Sequence, residues 1–159
     1  MSLSPVPDLK RSLAIVFGDS IPVPTGPDGD GPPVEALVRF EPLRFDATRL
    51  VWVLVTTTPG VVRTVVGHRV RQQIDVYATD PTGALGDRAS SEIERLLTER
   101  PKGPDGGLVP GTPAFVFTSI RKALHFTRQE EGPGGVAVFH SILDFEFGAQ
   151  EKRLTGTRF

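Results

Sequence analysis

The stretch that decides the fold runs from Arg63 to Arg100 and reads RTVVGHRVRQQIDVYATDPTGALGDRASSEIERLLTER. The segment Arg63–Thr79 alternates between apolar and polar residues, which predicts one strand with an apolar face and a polar face. The apolar face carries Val66, Val70, Ile74, Val76 and Ala78, with His68 and Gln72 among them. The polar face carries Arg69, Arg71, Gln73, Asp75 and Tyr77. The apolar face needs a layer packed against it.

That layer follows at once in the sequence as a predicted helix. Thr79 or Asp80 can cap it, and we expect it to open at residues 81–82 and to end at 99–100, before a Pro/Gly stop. Its apolar stripe has helical spacing and consists of Leu85, Ala89, Ile93, Leu96 and Leu97. Strand and helix together form the predicted centre of the fold.

An earlier helix is predicted from Pro5 or Pro7 to Phe17, because Ser4 can cap it and Gly18 can stop it. Glycine and proline then cluster at 22–33, 101–113 and 132–135. These residue types favour turns for backbone reasons, so we expect long loops there.

A second strong strand is predicted at Leu50–Thr58, after a shorter one at Val34–Phe40. Its six consecutive apolar residues indicate burial on both faces. We take them as a candidate oligomer interface, formed by Leu50, Val51, Trp52, Val53, Leu54 and Val55. The polar side of the Arg63–Thr79 strand offers a candidate lumen or intersubunit face, formed by Arg69, Arg71 and Asp75.

The chain closes with a predicted hairpin of Phe115–Arg128 and Val136–Phe147. A turn between Gly132 and Pro133 sets its expected register. The predicted pairs are Phe126 with Phe139, Ile120 with Phe145, and His125 with His140, the histidines lying on the wetter face. Burial of the aromatic residues should hold this register, with a bulge near Lys122.

These elements predict an α+β protein with an antiparallel or mixed sheet, two helices packed on one face and long Pro/Gly-rich loops. A chain of 159 residues is most simply one domain, 1–159, with a polar tail at 148–159 that we expect to be flexible. With 0 cysteines there is no disulfide framework. The net charge of −1 gives no overall attraction to nucleic acid, and no stretch is apolar enough to predict a membrane span.

Residue patterns predict no catalytic, cofactor-binding or metal-binding residue. His68, His125 and His140 fit no metal-ligand spacing, although His125 and His140 with Asp144 could meet across the last hairpin. No nucleophile motif appears, and Ser90 and Ser91 are expected on the helix exterior. The GPGG at 132–135 is followed by a strand, which favours a hairpin tip over a phosphate loop. Arg69 and Arg71 could face DNA phosphates, but cross-strand pairing with acids is the simpler interpretation.

The segment VRQQIDVYATDPTGALGDRASSEIERLLTE and the late strand GVAVFHSILDFEF resemble the tail terminator or tail completion (head–tail joining) family of long-tailed phages. In that family a strand of the "qvDVya" type precedes a helix, and a strand of the "glyrvsldf" type closes the domain. Ile74–Ala78 is similar to the first, and Val136–Phe145 is similar to the second. The resemblance covers about residues 63–147, and its motifs are structural.

The resemblance implies a non-enzymatic virion protein without cofactors. Such a protein forms a homo-oligomeric ring, usually a hexamer, that caps the tail tube, ends its polymerisation and joins it to the head connector. Its partners would be itself, the tail tube protein and the head connector or completion protein, with DNA passing through the lumen and no membrane involved. We would expect it in the virion tail or neck, and in the host cytoplasm during assembly.

Other classes remain open from the sequence. A head-closure or connector neck protein of the same phage type would share many features. A small cytosolic α+β ligand-binding domain or enzyme would show a deep apolar pocket with converging polar groups. A dimerising cytosolic regulatory module is a third class.

Overall fold

The computed structural model describes residues 4–40, 50–55, 61–64, 67–99, 112 and 114–152. Within these residues the chain forms two helices, seven strands and one short 3-10 turn, Pro133–Gly135. The helices and strands are α1 (Val6–Phe17), β1 (Ser20–Thr25), β2 (Gly31–Arg39), β3 (Val51–Val55), β4 (Val61–Thr64), β5 (Gly67–Ala78), α2 (Ala84–Thr98), β6 (Phe115–Glu131) and β7 (Ala137–Glu151).

The strands form one sheet in the order β1-β2-β3-β5-β7-β6, and β4 also pairs with β5. All neighbours are antiparallel except β2 and β3, which are parallel. The protein is therefore α+β with a mixed sheet, as the sequence predicts. The central strands β5 and β7 pair continuously from His68–Ala149 to Ala78–Phe139.

The hydrophobic core lies on the face of the sheet that α2 covers. Alternate residues of β5 and β7 point into it, among them Ile74, Val76, Leu143 and Phe145, each 0% exposed. Leu9 and Leu13 of α1 and Ile93 and Leu97 of α2 join the same cluster. We name this side of the sheet the helix face, and the opposite side, which carries the odd-numbered residues of β5, the open face.

The strand and helix predicted from Arg63–Arg100 are both present, with two differences. The predicted single strand is divided into β4 and β5, which pair as a hairpin with Val61 opposite Val70. Helix α2 begins at Ala84, later than predicted, because Gly83 at its N-cap adopts φ 72°. Asp80 still serves this end of the helix, since its carboxylate accepts a hydrogen bond from the Leu85 N–H at 3.3 Å.

The predicted loop at 22–33 is wrong. Residues 22–25 and 31–33 belong to β1 and β2, joined by a short turn that contains Gly26 (φ 81°) and Gly29 (φ 73°). The prolines that suggested a loop are tolerated because β1 is an edge strand and β3 pairs only with residues 37–39 of β2. The other predicted long loop, 101–113, lies almost entirely outside the described residues.

The last hairpin is present, but its predicted register is wrong. Gly132–Val136 forms the reversal, with the Gly132 N–H bonded to the Val136 carbonyl at 2.8 Å. Gln129 therefore lies opposite Phe139, Phe126 opposite Ile142, and His125 opposite Leu143. Ile120 likewise pairs with Phe147, two residues beyond its predicted partner. The predicted bulge is confirmed, since the register shifts between Lys122 and Leu124.

The predicted C-terminal tail and the predicted exposure of Ser90 also differ from the structure. The expected flexible tail at 148–159 is wrong for residues 148–151, which extend β7 and pair with Phe115–Ser119 of β6. Residues 153–159 lie outside the described residues, as do 56–58 of the strand predicted at Leu50–Thr58. Ser90 is buried and its hydroxyl donates to the Gly86 carbonyl at 2.9 Å, whereas Ser91 is exposed as predicted.

Candidate functional site: the open face and its edges

The predicted interface strand lies in the middle of the sheet. β3 pairs with β2 on one side and with β5 on the other, as its buried pattern predicts. Val51, Trp52, Val53 and Val55 are each at most 2% exposed, Leu54 is partly buried, and Leu50 is 43% exposed. The burial was correctly predicted, and it is supplied within one subunit for four of the six candidate interface residues, so only Leu50 and part of Leu54 are left exposed for a neighbouring subunit.

Arg69 and Arg71 project from the open face and pair with acids of β7. The Arg71 guanidinium contacts the Asp144 carboxylate at 2.8 Å, and Arg69 lies 3.9 Å from Glu146. Arg121 of β6 reaches Glu146 from the other side, at 3.3 Å. All three arginine side chains are at least 53% exposed. The simpler interpretation of the arginines, cross-strand pairing, therefore describes this subunit.

Asp75, the third residue of the predicted polar face, belongs to a buried cluster centred on His140. The His140 ring contacts Asp75 through Nε2 at 2.7 Å and Glu130 through Nδ1 at 2.8 Å. These contacts join β5, β7 and β6. Gln73 Nε2 donates to both Asp75 carboxylate oxygens, at 3.1 and 3.2 Å. His140 is 5% and Asp75 3% exposed, so the cluster is sealed from most solvent.

Tyr77 and Arg128 complete this cluster. The Tyr77 ring stacks on His140 with centroids 4.3 Å apart, and Arg128 contacts the Glu130 carboxylate. The hydrogen bond from His140, followed by that from Arg128, holds the pKa of Glu130 below its usual value of 4.5. Burial, and then the nearby charges of Asp75 and Glu130, raises the pKa of Tyr77 above 10.0.

The His140 cluster has the chemistry of a structural clamp. One ring nitrogen of His140 lies within hydrogen-bond distance of the Asp75 carboxyl group and the other within hydrogen-bond distance of Glu130, so the ring links β5 to β6. Both nitrogens are occupied, and Tyr77 covers one ring face. The clamp tethers the distal part of the β6–β7 hairpin to β5.

The sequence prediction about the histidines is only partly right. His125 and His140 do not meet, because His125 faces Leu143 on the helix face, so the grouping of His125, His140 and Asp144 that the sequence left possible does not form. No group of three metal-ligating side chains exists within the described residues. The prediction missed the burial of His140, and a signal was available: together with Ser141, His140 interrupts an otherwise apolar run from Val136 to Leu143.

Three strands, β1, β4 and β6, have an outer edge that no described strand pairs with, and two of them, β4 and β6, expose large apolar side chains. On β6, Leu124 is 46% and Phe126 42% exposed. On β4, Val61 is 42% and Val62 61% exposed. β4 and β6 flank the β5–β7 pair from opposite sides. Unpaired edges with apolar side chains are ready to accept another strand.

Comparison with known proteins identifies no relative, since no protein-family description matches the chain and no curated protein is similar to it in sequence. Among the described residues, no helix is both long enough and apolar enough to span a membrane.

Proposed function

We propose that this protein is a structural virion protein of a long-tailed phage, which forms a ring that caps the tail tube, ends its polymerisation and joins it to the head connector. One structural observation carries the proposal. Two edge strands of the sheet, β4 and β6, lie on opposite sides of its central strand pair, and each exposes apolar side chains. The resemblance of Ile74–Ala78 and Val136–Phe145 to the tail terminator family supplies the particular function.

Two different edges favour a ring over a closed pair. If the β6 edge of one subunit packs on the β4 edge of the next, the contact is heterologous and the pair still has one free β4 edge and one free β6 edge. Repetition of that contact with a fixed rotation closes a ring. Val62, which shares the open face with Arg69, would then pack near Leu124 and Phe126 of the neighbour, and all three would leave water.

The open face suits the wall of a channel that DNA passes through. Its arginines alternate with acids, and Arg69, Arg71 and Arg121 share the two carboxylates of Asp144 and Glu146. Tight binding to DNA comes from cations that neutralise phosphates and release counterions. A wall whose cations are paired with acids holds DNA weakly, as passage through a lumen requires. The proposal needs no catalytic residue or cofactor.

The experiment is to image the purified protein alone and after incubation with tail tubes of the phage that encodes it, with native mass spectrometry of the same samples. We expect rings, hexameric if the resemblance holds, at the ends of the tubes. The Val62→Lys variant should lose them, because a lysine would be buried at the β4 edge. Ile15→Lys is the matched control, since Ile15 is 59% exposed on α1, away from both edges.

A strict monomer that also fails to form rings on tubes would overturn the proposal. Rings on isolated connectors, with none on tubes, would instead indicate a head-closure protein. Equal loss of rings in the Val62→Lys and Ile15→Lys variants would contradict the edge-to-edge contact.

A further inference from the structure

The edge strand β6 carries a pattern of charged and apolar side chains that its pairing with β7 does not explain. Its side chains divide between the two faces as their partners on β7 require. The open-face set is Arg121, Leu124, Phe126, Arg128 and Glu130, and the helix-face set is Lys122, His125, Thr127, Gln129 and Glu131. Both sets begin with a cation and end with an acid. The middle of the strand is apolar on the open face.

Such a strand is complementary to itself when it is reversed. In an antiparallel pair centred on Phe126, Phe126 meets its own copy and Leu124 lies opposite the aliphatic part of Arg128. The bulge between Lys122 and Leu124 leaves one residue of the strand without a partner, so the pairing beyond it shifts by one residue. Arg121 then lies opposite Glu130 on the open face. On the helix face the same shift in register places Lys122 diagonal to Glu131. Opposite charges and aromatic pairs facing each other both stabilise antiparallel strands.

Neighbouring registers lack this complementarity. A pair centred on His125 places Arg128 opposite Arg121, which sets two like charges together. A pair centred on Thr127 places Leu124 opposite Glu130 and separates the two phenylalanines. The side chains of β6 therefore favour the register centred on Phe126 over the two neighbouring registers.

We infer that the free protein forms a two-fold dimer in which the outer edges of two β6 strands pair antiparallel around Phe126. The occupant of this edge is a second copy of the chain, because the sequence of the edge is its own complement. The dimer joins two sheets into one and covers Leu124 and Phe126, which are 46% and 42% exposed in the subunit. A two-fold contact is closed, so it ends at two subunits.

This inference does not rest on the proposed ring. The ring contact would use β6 against β4, whereas the dimer uses β6 against itself, and one edge cannot make both contacts at once. If both exist, the dimer is a resting form that keeps the edge covered until a partner displaces it.

The absence of cysteine from the chain gives a direct test, because a single introduced thiol is the sole attachment point. In the Phe126→Cys variant the two thiols of a dimer lie opposite each other, and a short bis-maleimide should link them into a covalent dimer. The Val62→Cys variant carries its thiol at an exposed site on β4 and should give no more dimer than random collision. Both sites are at least 42% exposed, so neither change should disturb folding.

A second measurement uses sedimentation across concentration. The Phe126→Lys variant places two like charges opposite each other and should weaken dimerisation by about tenfold or more, which corresponds to about 1.4 kcal/mol. The Val62→Lys variant should dimerise like the wild type, and circular dichroism should show both folded. Higher salt should weaken the wild-type dimer, because part of its attraction is ionic.

Three results would overturn the inference. The wild-type protein could stay monomeric across the concentration range, the Phe126→Cys variant could link no better than Val62→Cys, or the dimer could be unchanged by Phe126→Lys. Ladders of linked subunits in a Val62→Cys/Phe126→Cys double variant, with no link from Phe126→Cys alone, would support the ring contact and reject the dimer. The two proposals therefore fail separately.

Discussion

His140 lies between two carboxyl groups, with one ring nitrogen 2.7 Å from Asp75 and the other 2.8 Å from Glu130. The alternation of β5 and β7 was enough to predict which side chains enter the core. It could not predict that Asp75 and His140, both on the polar side, would be buried at 3% and 5% exposure. Their burial depends on contacts among three strands, which cannot be predicted from the alternation of residues along any one of them.

Replacing His140 should therefore be costly, whereas replacing His125 should not. We expect His140→Ala to lower the free energy of unfolding by about 3 kcal/mol, because it removes the ring that links β5 to β6 and leaves the buried Asp75 carboxyl group without its hydrogen bond to His140. His125→Ala is the matched control on an exposed position and should change stability by less than about 0.5 kcal/mol. Urea unfolding measures both. Equal losses in the two variants would show that the clamp contributes nothing specific.

Glu130 should make the stability of the protein depend on pH in the acidic range. Its pKa is held below the usual 4.5, so folding favours the ionised form. Its contribution is complete above the unfolded pKa and is lost as pH falls through the lower, folded value. Glu130→Gln should therefore be less stable than the wild type at neutral pH, and the difference should shrink as pH falls below 4.5. A difference that stays constant over this range of pH would contradict the assignment.

At the scale of elements, the strand–helix unit of β5 and α2 was predictable because its signals are local. The apolar stripe of α2 and the alternation of β5 each lie within one element. The register of β6 and β7 was not predictable in this way, because it depends on how many residues form the turn between the two strands. The glycines of GPGG lie within the turn itself, where Gly134 and Gly135 adopt φ 74° and 76°. The predicted tighter turn placed Phe126 on the wrong face.

The start of α2 offers a test of element packing through Gly83. This residue has φ +72°, and a Cβ added to it would lie 3.0 Å from the Phe139 ring. Gly83→Ala should cost about 2 kcal/mol, from the left-handed backbone and from displacement of Phe139. Gly134→Ala is the control with φ +74° and nothing within 4 Å of the added Cβ, so it should cost about 1 kcal/mol from the backbone alone. Thermal unfolding of both variants separates the two causes, and equal costs would exclude a contribution from the Phe139 contact.

At the scale of the whole molecule, the sheet divides into strands held on both sides and strands with a free edge. β5 and β7 are held on both sides, whereas β1, β4 and β6 each have an outer edge that no described strand pairs with. The apolar content of β3 suggested that it lay at the surface between subunits. In the folded chain that content fills the middle of the sheet, and the exposed apolar residues of the strands lie on β4 and β6. A strand's composition alone does not reveal whether its own chain supplies the neighbours that bury it.

Hydrogen exchange should report this division and which edge is used in association. In dilute protein the amides of β5 and β7 should exchange slowest, since both edges of these strands are bonded, while the outward amides of β6 and β1 exchange quickly. At high concentration the two-fold dimer should protect β6 and leave β4 and β1 unchanged. Assembly on tail tubes should protect β4 and β6 together, because the ring contact pairs one with the other. β1 serves as the internal control, since its edge takes part in neither contact. Protection that appears on β1 in step with β6, or protection of β6 equal to that of β5 in dilute monomer, would contradict the placement of the binding edge.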